Sequence, residues 1–342
     1  MSHLKLSIIN SQLSTLFDAW GVARIEPIDD EIERLREWLD NGYHGEMQYM
    51  ARNIEMRANP QELLPGARSI IMVLMNYYPH EWQPTDKPQI AAYAYGNDYH
   101  HIVKSKLTTL AEEINKIMPH QYAVFCDSAP VMERAWAVRA GLGWIGRNGM
   151  LVNPKFGTFT FIGTLITTLE LEPSTPMKNR CGTCRKCIET CPTGAIINSQ
   201  QSTVNSKQFN PSVLRTAPLK QGSNIEYSYI DAQRCLSYQT IEKRGEIDKE
   251  LRELATNTLY GCDRCQLVCP WNRFAHPHNH PELEPIDGIF NIDWASMTRS
   301  EFSKRLKFSP MQRAGLKKIK ERYRNIIENF KDLAPCSLIL TP

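Results

Sequence analysis

The 342-residue sequence has no long apolar run and almost no net charge. Its longest nearly uncharged stretch, FGTFTFIGTLITTL at 156–169, is too short and too rich in threonine to span a bilayer. The first twenty residues, MSHLKLSIINSQLSTLFDAW, lack the basic start, apolar block and cleavage site of a signal peptide. We therefore expect a cytoplasmic protein without a membrane partner, long enough for two domains or for one domain plus a module.

Common nucleotide-binding signatures are also missing. No G-x-G-x-x-G follows a strand-like segment, so nothing in the pattern predicts a dinucleotide fold. There is no P-loop, and no repeat of solenoid length is present. These absences exclude the simplest sequence-based assignments and direct attention to the cysteines.

Cysteine is abundant, with ten in the chain, and most of them lie in two runs. The first run is CGTCRKCIETCP at 181–192 and the second is CDRCQLVCP at 262–270. A reducing cytoplasm disfavours disulfides, and clustered cysteines in that compartment indicate a metal centre.

The first run has the spacing C-x2-C-x2-C-x3-C-P, which matches the bacterial iron–sulfur pattern whose fourth cysteine ligates a second cluster. The second run ends in the same way but has no cysteine at its start. Cys235, which lies between the runs in DAQRCLSY, is the best candidate for the missing ligand. Cys126 and Cys336 are better explained as a buried apolar thiol and a tail thiol.

We therefore predict two 4Fe–4S clusters with crossed ligation. The first cluster would be held by Cys181, Cys184, Cys187 and Cys269. The second would be held by Cys191, Cys235, Cys262 and Cys265. A zinc knuckle formed by the first two cysteines of each run is the alternative, but it leaves the third cysteine of each run and both Cys-Pro endings without a role.

The hydrophobic pattern predicts an α+β (mixed α/β) domain with a mostly buried sheet over residues 1–170. Strands are expected within 69–78, 121–126 and 156–169, and helices within 98–117 and 130–143. Asp98 would cap the first helix, and Pro130 would start the second. Residues 171–285 form a cysteine-bearing, ferredoxin-like module that contains a polar inserted loop at 197–230, and 286–342 form a helical basic segment.

The basic character is concentrated in residues 299–324, which hold ten Lys/Arg against two Glu. This segment carries +8, so the rest of a chain with net charge +3 sums to −5. A solvated helix face is one explanation. The size of the asymmetry, with Phe302, Phe308 and Tyr323 interleaved, favours a nucleic-acid backbone as partner.

Asp127 is the candidate catalytic residue because it follows a predicted strand and precedes a predicted helix, where it would face a cleft. Burial beside an apolar cofactor would raise the pKa of its carboxyl and suit it to donate a proton. A turn or capping role is the alternative. His100 and His101 are interpreted as surface or packing residues, and HPHNHPEL at 276–283 as a structural loop.

Together these segments resemble epoxyqueuosine reductases, iron–sulfur and cobalamin enzymes that complete queuosine synthesis on tRNA. The resemblance covers about residues 1 to 330 and is carried by the cysteine runs and by several other stretches of sequence. These include RNIEMRANPQELLPGARSI, YAYGNDYHHIVKSKL, CDSAPVMERAWAVRAGLGWIGRNGMLVNPKFGTF, DAQRCLSYQTIE and YGCDRCQLVCPWN. The N-terminal half also resembles the corrinoid-binding domain of reductive dehalogenases.

The resemblance implies roles for individual residues. Asp127 matches the family's proposed proton donor and also lies among its cobalamin contacts. The other implied contacts to cobalamin or its electron path are Arg57, Leu151, Ile162, Ser237, Tyr238, Asp263 and Arg264. The crossed cysteine ligation agrees with the family pattern.

The implied reaction reduces the epoxide of epoxyqueuosine, at the wobble position of a tRNA anticodon, to the alkene of queuosine. Electrons from an external donor such as a flavodoxin or ferredoxin would pass through the two clusters to cobalamin. Cobalamin rests on the resemblance alone, because the D-x-H-x-x-G signature is absent and DYHHIV at 98–103 lacks its glycine. The alternatives are a dehalogenase-like reductase of small molecules and a ferredoxin-type electron-transfer protein.

The sequence departs from the family at two places. Ala92 stands where arginine is common, and the link between Cys191 and Cys235 is long, which affects the substrate contacts expected near it.

Overall fold

A computed structural model describes residues 11–198 and 228–332, with side chains through residue 328. The strands are β1 (Ala19–Arg24), β2 (Ser69–Asn76), β3 (Gln89–Ile90), β4 (Tyr122–Phe125), β5 (Trp144–Ile145), β6 (Leu151–Val152), β7 (Thr160–Thr167), β8 (Ile196–Asn198), β9 (Ser228–Ile230) and β10 (Thr258–Tyr260). The helices are α1 (Asp29–Asp40), α2 (Ile54–Ala58), α3 (Tyr99–Ile117), α4 (Glu133–Arg139), α5 (Lys186–Thr190), α6 (Leu236–Ile241), α7 (Lys249–Arg252), α8 (Arg264–Leu267), α9 (Arg299–Arg305) and α10 (Gly315–Asp332).

A four-stranded antiparallel sheet of order β1-β2-β7-β4 forms the centre of the N-terminal region. All eight residues of β2, SIIMVLMN, are buried. A strand that is buried at every position requires a cover on both faces of the sheet, because successive side chains point to opposite sides. The sequence therefore dictates a sheet between two layers.

Helix α3 covers one face, and helices α1 and α4 cover the other. Gly163 on β7 allows the close approach of α3, since a Cβ at this position would lie 2.6 Å from Cγ1 of Val103. On the opposite face, Trp136 of α4 and Ile32 of α1 join the buried cluster that contains Met72. The mixed helix and sheet architecture confirms the predicted fold class.

The predicted boundaries hold closely for α3 and less well for α4. Asp98 caps α3 as predicted, since its side chain accepts a hydrogen bond from the backbone N–H of His100 at 3.0 Å. Helix α4 begins at Glu133 and not at Pro130, because Met132 has a non-helical backbone with ψ of 64°. The segment 156–169 supplies one strand of this sheet, β7.

One apolar core runs through all three predicted segments. Val73 of β2, Tyr260 of β10 and Phe302 of α9 belong to the same buried cluster. The Tyr260 hydroxyl donates to the backbone carbonyl of Pro310 at 2.8 Å, which fastens the C-terminal region to the cysteine module. The three-domain division remains a prediction, and the segments share their core.

Two sequence predictions fall largely or wholly on residues that the structure does not describe. The inserted loop at 197–230 is described only at its ends, where β8 and β9 pair antiparallel. Cys336 lies outside the described residues. No helix in the described part of the chain is long and apolar enough to cross a membrane.

Candidate functional site

The first predicted set of ligands gathers around one cavity. This cavity has a volume of about 180 Å³, and its lining includes Cys181, Cys184, Cys187 and Cys269. Helices α5 and α8 pack against each other and bring the two runs together. Burial, followed by the neighbouring thiols of Cys181 and Cys269, raises the pKa of Cys187 to about 11.

The second set gathers around Cys235. Burial raises the pKa of the Cys235 thiol, and Cys191 contributes in the same direction. Burial raises the pKa of Cys262 to about 12, and the neighbouring Cys235 contributes in the same direction. Burial raises the pKa of Cys265, and the neighbouring Cys262 and Cys235 contribute in the same direction. All nine described cysteines are free thiols.

These groupings are the crossed sets that the spacing predicts. Clustered, half-buried thiols are costly to ionise on their own, and a bound cationic centre removes that cost by neutralising the thiolates. Four sulfur donors per set fit an iron–sulfur cluster. The residues present therefore suit the predicted cofactor.

Polar contacts fix the cysteine runs to the N-terminal region. The amide oxygen of Asn272 accepts from the backbone N–H of Thr158 at 2.8 Å. Gly157, with φ of 64°, leaves room for this contact, because a Cβ there would lie 2.0 Å from the Asn272 oxygen. The Asn148 amide donates to the carbonyl of Cys265 at 3.3 Å. The ligand loops are thus held against the loops that follow α4.

Asp127 lies directly beyond the end of β4, two residues after Phe125, in a left-handed backbone conformation with φ of 58°. Its side chain is 63% exposed. The carboxylate accepts a hydrogen bond from the Tyr99 hydroxyl at 2.7 Å, and it lies 3.4 Å from Nε2 of His100.

Hydrogen-bond donors surround the carboxyl of Asp127. Burial acts to raise its pKa, but the hydrogen bonds from His100 and Tyr99 outweigh burial and lower the pKa to about 2. The rise in pKa expected for burial beside an apolar cofactor stays a prediction.

His100 is part of this site, contrary to the prediction of a surface or packing role. Its Nδ1 lies 2.6 Å from Asp98, and its Nε2 faces Asp127 on the other side. Burial would lower its pKa, but hydrogen bonds to Asp127 and Asp98 raise it to about 9. The sequence signal that could have revealed this role is the Asp98-x-His100 spacing at a helix start.

Glu133 is a second residue that sequence reasoning missed. Its carboxyl accepts from the backbone N–H of Asp127 at 2.9 Å and from the Thr164 hydroxyl at 3.3 Å. Burial, with Asp127 as the next cause, raises its pKa to about 8. The site therefore places two carboxyl groups and an imidazole around one strand end.

Arg57 is the best supported of the implied cofactor contacts. Its side chain is buried, and Nη2 donates to the Tyr49 carbonyl at 3.3 Å. Nε has no hydrogen-bond partner among the described residues. A buried donor without an acceptor fits a bound group that supplies one, such as a corrin amide side chain.

The other implied contacts are spread over two neighbourhoods. Leu151 is buried and Ile162 is half-buried, and both belong to the core face shared with α4. Ser237 and Tyr238 begin α6, and their backbone N–H groups point to the Cys235 sulfur. The Tyr238 hydroxyl accepts from the backbone N–H of Glu46 at 2.7 Å.

Asp263 and Arg264 are adjacent in the second run but contact different parts of the protein. Asp263 accepts from the backbone N–H of Ala92 at 2.6 Å, and burial raises its pKa to about 6. Arg264 donates to the Thr256 hydroxyl and does not pair with Asp263 in this structure. Ala92, the departure from the family pattern, thus contributes its backbone and not a side chain.

The basic segment has an inward and an outward face. Phe302 is 4% exposed and belongs to the core, so its ring is not available to a nucleic acid. Phe308, by contrast, is 61% exposed. Arg322 is buried and donates to the carbonyls of Thr258 and Thr256 at 2.6 and 2.7 Å. The backbone carbonyl of Phe308 accepts from the N–H of Asp98, which places the exposed aromatic beside the Asp127 site.

The histidine tract 276–283 packs against the end of β2, in agreement with a structural loop. The His276 carbonyl accepts from the Asn76 side chain at 2.9 Å, and His280 lies 2.7 Å from Asp18. His278, His80 and Glu284 bring three potential ligand atoms within 4.8 Å of one another.

Two family models match the chain. The model described as "Epoxyqueuosine reductase QueG, DUF1730" matches residues 57–128, and that described as "4Fe-4S double cluster binding domain" matches 221–272. Among curated proteins, the epoxyqueuosine reductase of Leadbetterella byssophila is 38% identical over 306 residues, 89% of this chain and 92% of its own length. That of Pseudomonas aeruginosa is 36% identical over 310 residues, 87% and 78% of the two chains.

Solved structures give the same result. An epoxyqueuosine reductase crystallised with an epoxyqueuosine-modified tRNA-Tyr stem loop superposes with a TM-score of 0.79 and 28% identity, over 96% of this chain and 82% of that chain. The Bacillus subtilis enzyme with a catalytic loop swung out of its active site superposes with a TM-score of 0.77, 28% identity and the same coverage.

Proposed function

The chain belongs to the epoxyqueuosine reductase family, and from that membership we propose that it reduces epoxyqueuosine to queuosine in tRNA. The observation that carries the proposal is the similarity at 36–38% identity over most of the chain. The reaction converts an epoxide to an alkene and releases its oxygen as water, which consumes two electrons and two protons. The substrate is the modified nucleoside at the wobble position of the anticodon.

The two thiol sets would hold two 4Fe–4S clusters, and Arg57 and its neighbours would hold cobalamin. When bound, the clusters would supply electrons one at a time and the corrin cobalt would act as the reducing centre at the substrate. Support comes from the four sulfur donors in each set and from the unpartnered Nε of Arg57. An external protein donor would deliver the electrons.

Asp127 would deliver a proton to the oxygen that leaves the substrate. In the structure its carboxylate is ionised, and the charged imidazole of His100 lies against it. Entry of the substrate would remove water from this exposed side chain, which favours its neutral form. We propose that His100 supplies the proton to Asp127 as this occurs, and that Glu133 positions the Asp127 backbone.

Binding of tRNA at this site would rely on the basic segment. Lys304, Lys307 and Phe308 are exposed on the part of the chain that contacts Asp98. Cationic side chains hold phosphates, and an exposed aromatic ring stacks on an unpaired base. This arrangement would hold an anticodon loop over Asp127.

The test is turnover by the reconstituted protein. The chain is purified without oxygen, loaded with iron, sulfide and cobalamin, and supplied with dithionite and an epoxyqueuosine-containing tRNA stem loop. Conversion to queuosine, measured by mass spectrometry of the digested nucleosides, is expected. Loaded protein that leaves the epoxide intact, under conditions in which a known family member converts it, would contradict the proposal.

A further inference from the structure

The surface around the first thiol set has a strongly basic lining. Arg147, Arg180 and Arg273 line the cavity together with the four cysteines of this set. Among the residues that the structure describes, no Asp or Glu lines it. Arg180 and Arg273 are exposed, so their charges face solvent at the mouth of the cavity. A concave surface lined by one sign of charge attracts partners of the opposite sign.

Aromatic side chains lie beside these arginines. Trp271 packs edge-on against the buried Trp144, with ring centroids 4.8 Å apart. Phe274 is 47% exposed and its ring centroid lies 5.7 Å from that of Trp271. The Arg273 guanidinium lies 4.5 Å above the Phe274 ring. Exposed aromatic residues bordered by arginine are typical of protein interfaces.

The first set occupies the outer end of a chain of contacts that leads to Asp127. Tyr99, which binds the Asp127 carboxylate, lies edge-on to Tyr93 with ring centroids 6.1 Å apart. The carboxyl of Asp263, in the second run, accepts a hydrogen bond from the backbone N–H of Ala92, the residue before Tyr93. Helices α8 and α5, which contain Cys265 and Cys187, pack against each other. Contacts therefore run from Asp127 through the second run to the first set.

We propose that this surface, formed by Arg147, Arg180, Trp271, Arg273 and Phe274, docks a small acidic protein that carries single electrons. We name it the electron-entry surface. The inference rests on the proposed function, which requires an external reductant. The donor's reduced flavin or cluster loses one electron and the first cluster gains it, and two such encounters complete one turnover. No bond forms between the proteins.

Charge complementarity selects this occupant. A donor with an acidic face around its redox group would place that group over the cavity, where the cysteine ligands line the wall. Electrostatic attraction accelerates encounter without requiring tight binding, as an electron carrier that must leave again needs. The same arginines could instead bind a phosphate backbone or only stabilise the negative charge of the cluster. The experiment separates these two roles from docking of the donor.

The experiment measures docking directly. Oxidised flavodoxin, a small acidic flavoprotein, is titrated onto the iron-loaded chain by calorimetry at low and moderate salt. Charge reversal by Arg180→Glu with Arg273→Glu is expected to weaken binding about 10- to 100-fold at low salt. Phe274→Ser, which keeps every charge, is expected to weaken it about 10-fold.

The matched control reverses two exposed cations at the far end of the sheet. Arg68 directly precedes β2, and Lys116 is near the end of α3. Their side chains are 63% and 67% exposed. The double variant Arg68→Glu with Lys116→Glu changes the net charge by the same amount and is expected to keep flavodoxin affinity within about 3-fold, because these charges are distant and screened.

Cluster reduction then tests the electron path. Reduced flavodoxin is mixed with the chain, and the loss of cluster absorbance is followed. The Arg180/Arg273 variant is expected to lose rate in parallel with affinity, while dithionite, which needs no docking surface, reduces it as it reduces the parent chain.

Other outcomes overturn the inference. Unchanged flavodoxin affinity would do so directly. A loss of tRNA affinity with normal flavodoxin affinity would assign the arginines to the nucleic acid, and a loss of iron or of dithionite reduction would assign them to the cluster. If the parent chain docks flavodoxin as expected but does not convert epoxyqueuosine with dithionite, the proposed function fails and the electron-entry surface stands.

Discussion

At the residue scale, the pair of Asp127 and His100 defines the chemistry of the site. Each group shifts the pKa of the other towards its charged form, to about 2 for the carboxyl and about 9 for the imidazole. The stabilisation from His100 is complete below its ordinary pKa of 6.5 and is lost as pH rises through about 9. The stabilisation from the Asp127 carboxylate is complete above its ordinary pKa of 3.8 and is lost as the pH falls through about 2.

The coupling can be measured by titration of the His100 ring. In the parent chain, NMR is expected to report a pKa near the value of about 9. In Asp127→Asn the pKa should fall towards its ordinary value, because one of two neighbouring carboxylates is gone. His101→Gln is the control and should leave His100 unchanged. A His100 that titrates at its ordinary pKa in the parent chain would contradict the geometry.

The catalytic assignment predicts a loss of turnover in the same variant. Asp127→Asn cannot donate a proton, so the rate with the tRNA stem loop is expected to fall about 10²- to 10⁴-fold. Iron content and tRNA affinity should remain those of the parent chain, which separates chemistry from assembly. Retention of full activity by the asparagine variant would remove Asp127 from the mechanism.

Cys235 offers the sharpest test of the crossed ligation. Cys235→Ser removes one ligand of the second set, so bound iron should fall from about eight to about four per chain after anaerobic reconstitution. Cys126→Ala changes a buried thiol outside both sets and should keep all the iron. Zinc in the parent chain, or unchanged iron in Cys235→Ser, would contradict the predicted clusters.

At the element scale, Arg322 connects helix α10 to strand β10. Its guanidinium satisfies two backbone carbonyls, and it is 4% exposed. This buried cation stabilises the packing of α10 against β10, in contrast to the exposed cations around it. The position of α10 therefore depends on a residue that the charge count alone assigns to nucleic-acid binding.

Arg322→Met should loosen this connection. Two carbonyls lose their donors, so the local free energy of opening is expected to fall by about 1–3 kcal/mol. Native-state hydrogen exchange of the amides in α10 and β10 measures this directly. Arg324→Met, at an exposed position of the same helix, is expected to change it by less than about 0.5 kcal/mol. Equal effects of the two substitutions would refute the connection.

At the scale of the whole molecule, the basic segment and the Asp127 site form one surface. The Phe308 carbonyl contacts Asp98, whose carboxylate pairs with His100, so the end of α9 lies close to the catalytic groups. The electron-entry surface surrounds the first thiol set. In the proposed arrangement tRNA and the electron donor would use different surfaces, so both would be able to bind at once.

The tRNA surface predicts a defined salt dependence. Lys304→Ala with Lys307→Ala removes two cations, so the slope of log affinity against log salt should become shallower by roughly two. Arg68→Ala with Lys116→Ala is the charge-matched control and should keep the slope. Fluorescence anisotropy with a labelled stem loop measures both. An unchanged slope in the Lys304/Lys307 variant would show that this segment does not contact phosphates.

The sequence by itself determined the features that depend on local spacing. The intervals within each cysteine run predict ligands, the Asp98 cap predicts a helix start, and the apolar run within β2 predicts a buried strand. Each of these features involves residues a few positions apart. The family resemblance extended this to the activity and to Asp127. These predictions needed no knowledge of how the segments pack.

Only the tertiary structure decided how distant residues act on one another. Burial and the donors around a group set its ionisation, so the lowered pKa of Asp127 depends on Tyr99 and His100, which belong to another element. Glu133 is within reach of Asp127 because a turn folds it back. Packing also turned Phe302 and Arg322 inward, since the apolar face of each helix had to meet the core shared by all three segments.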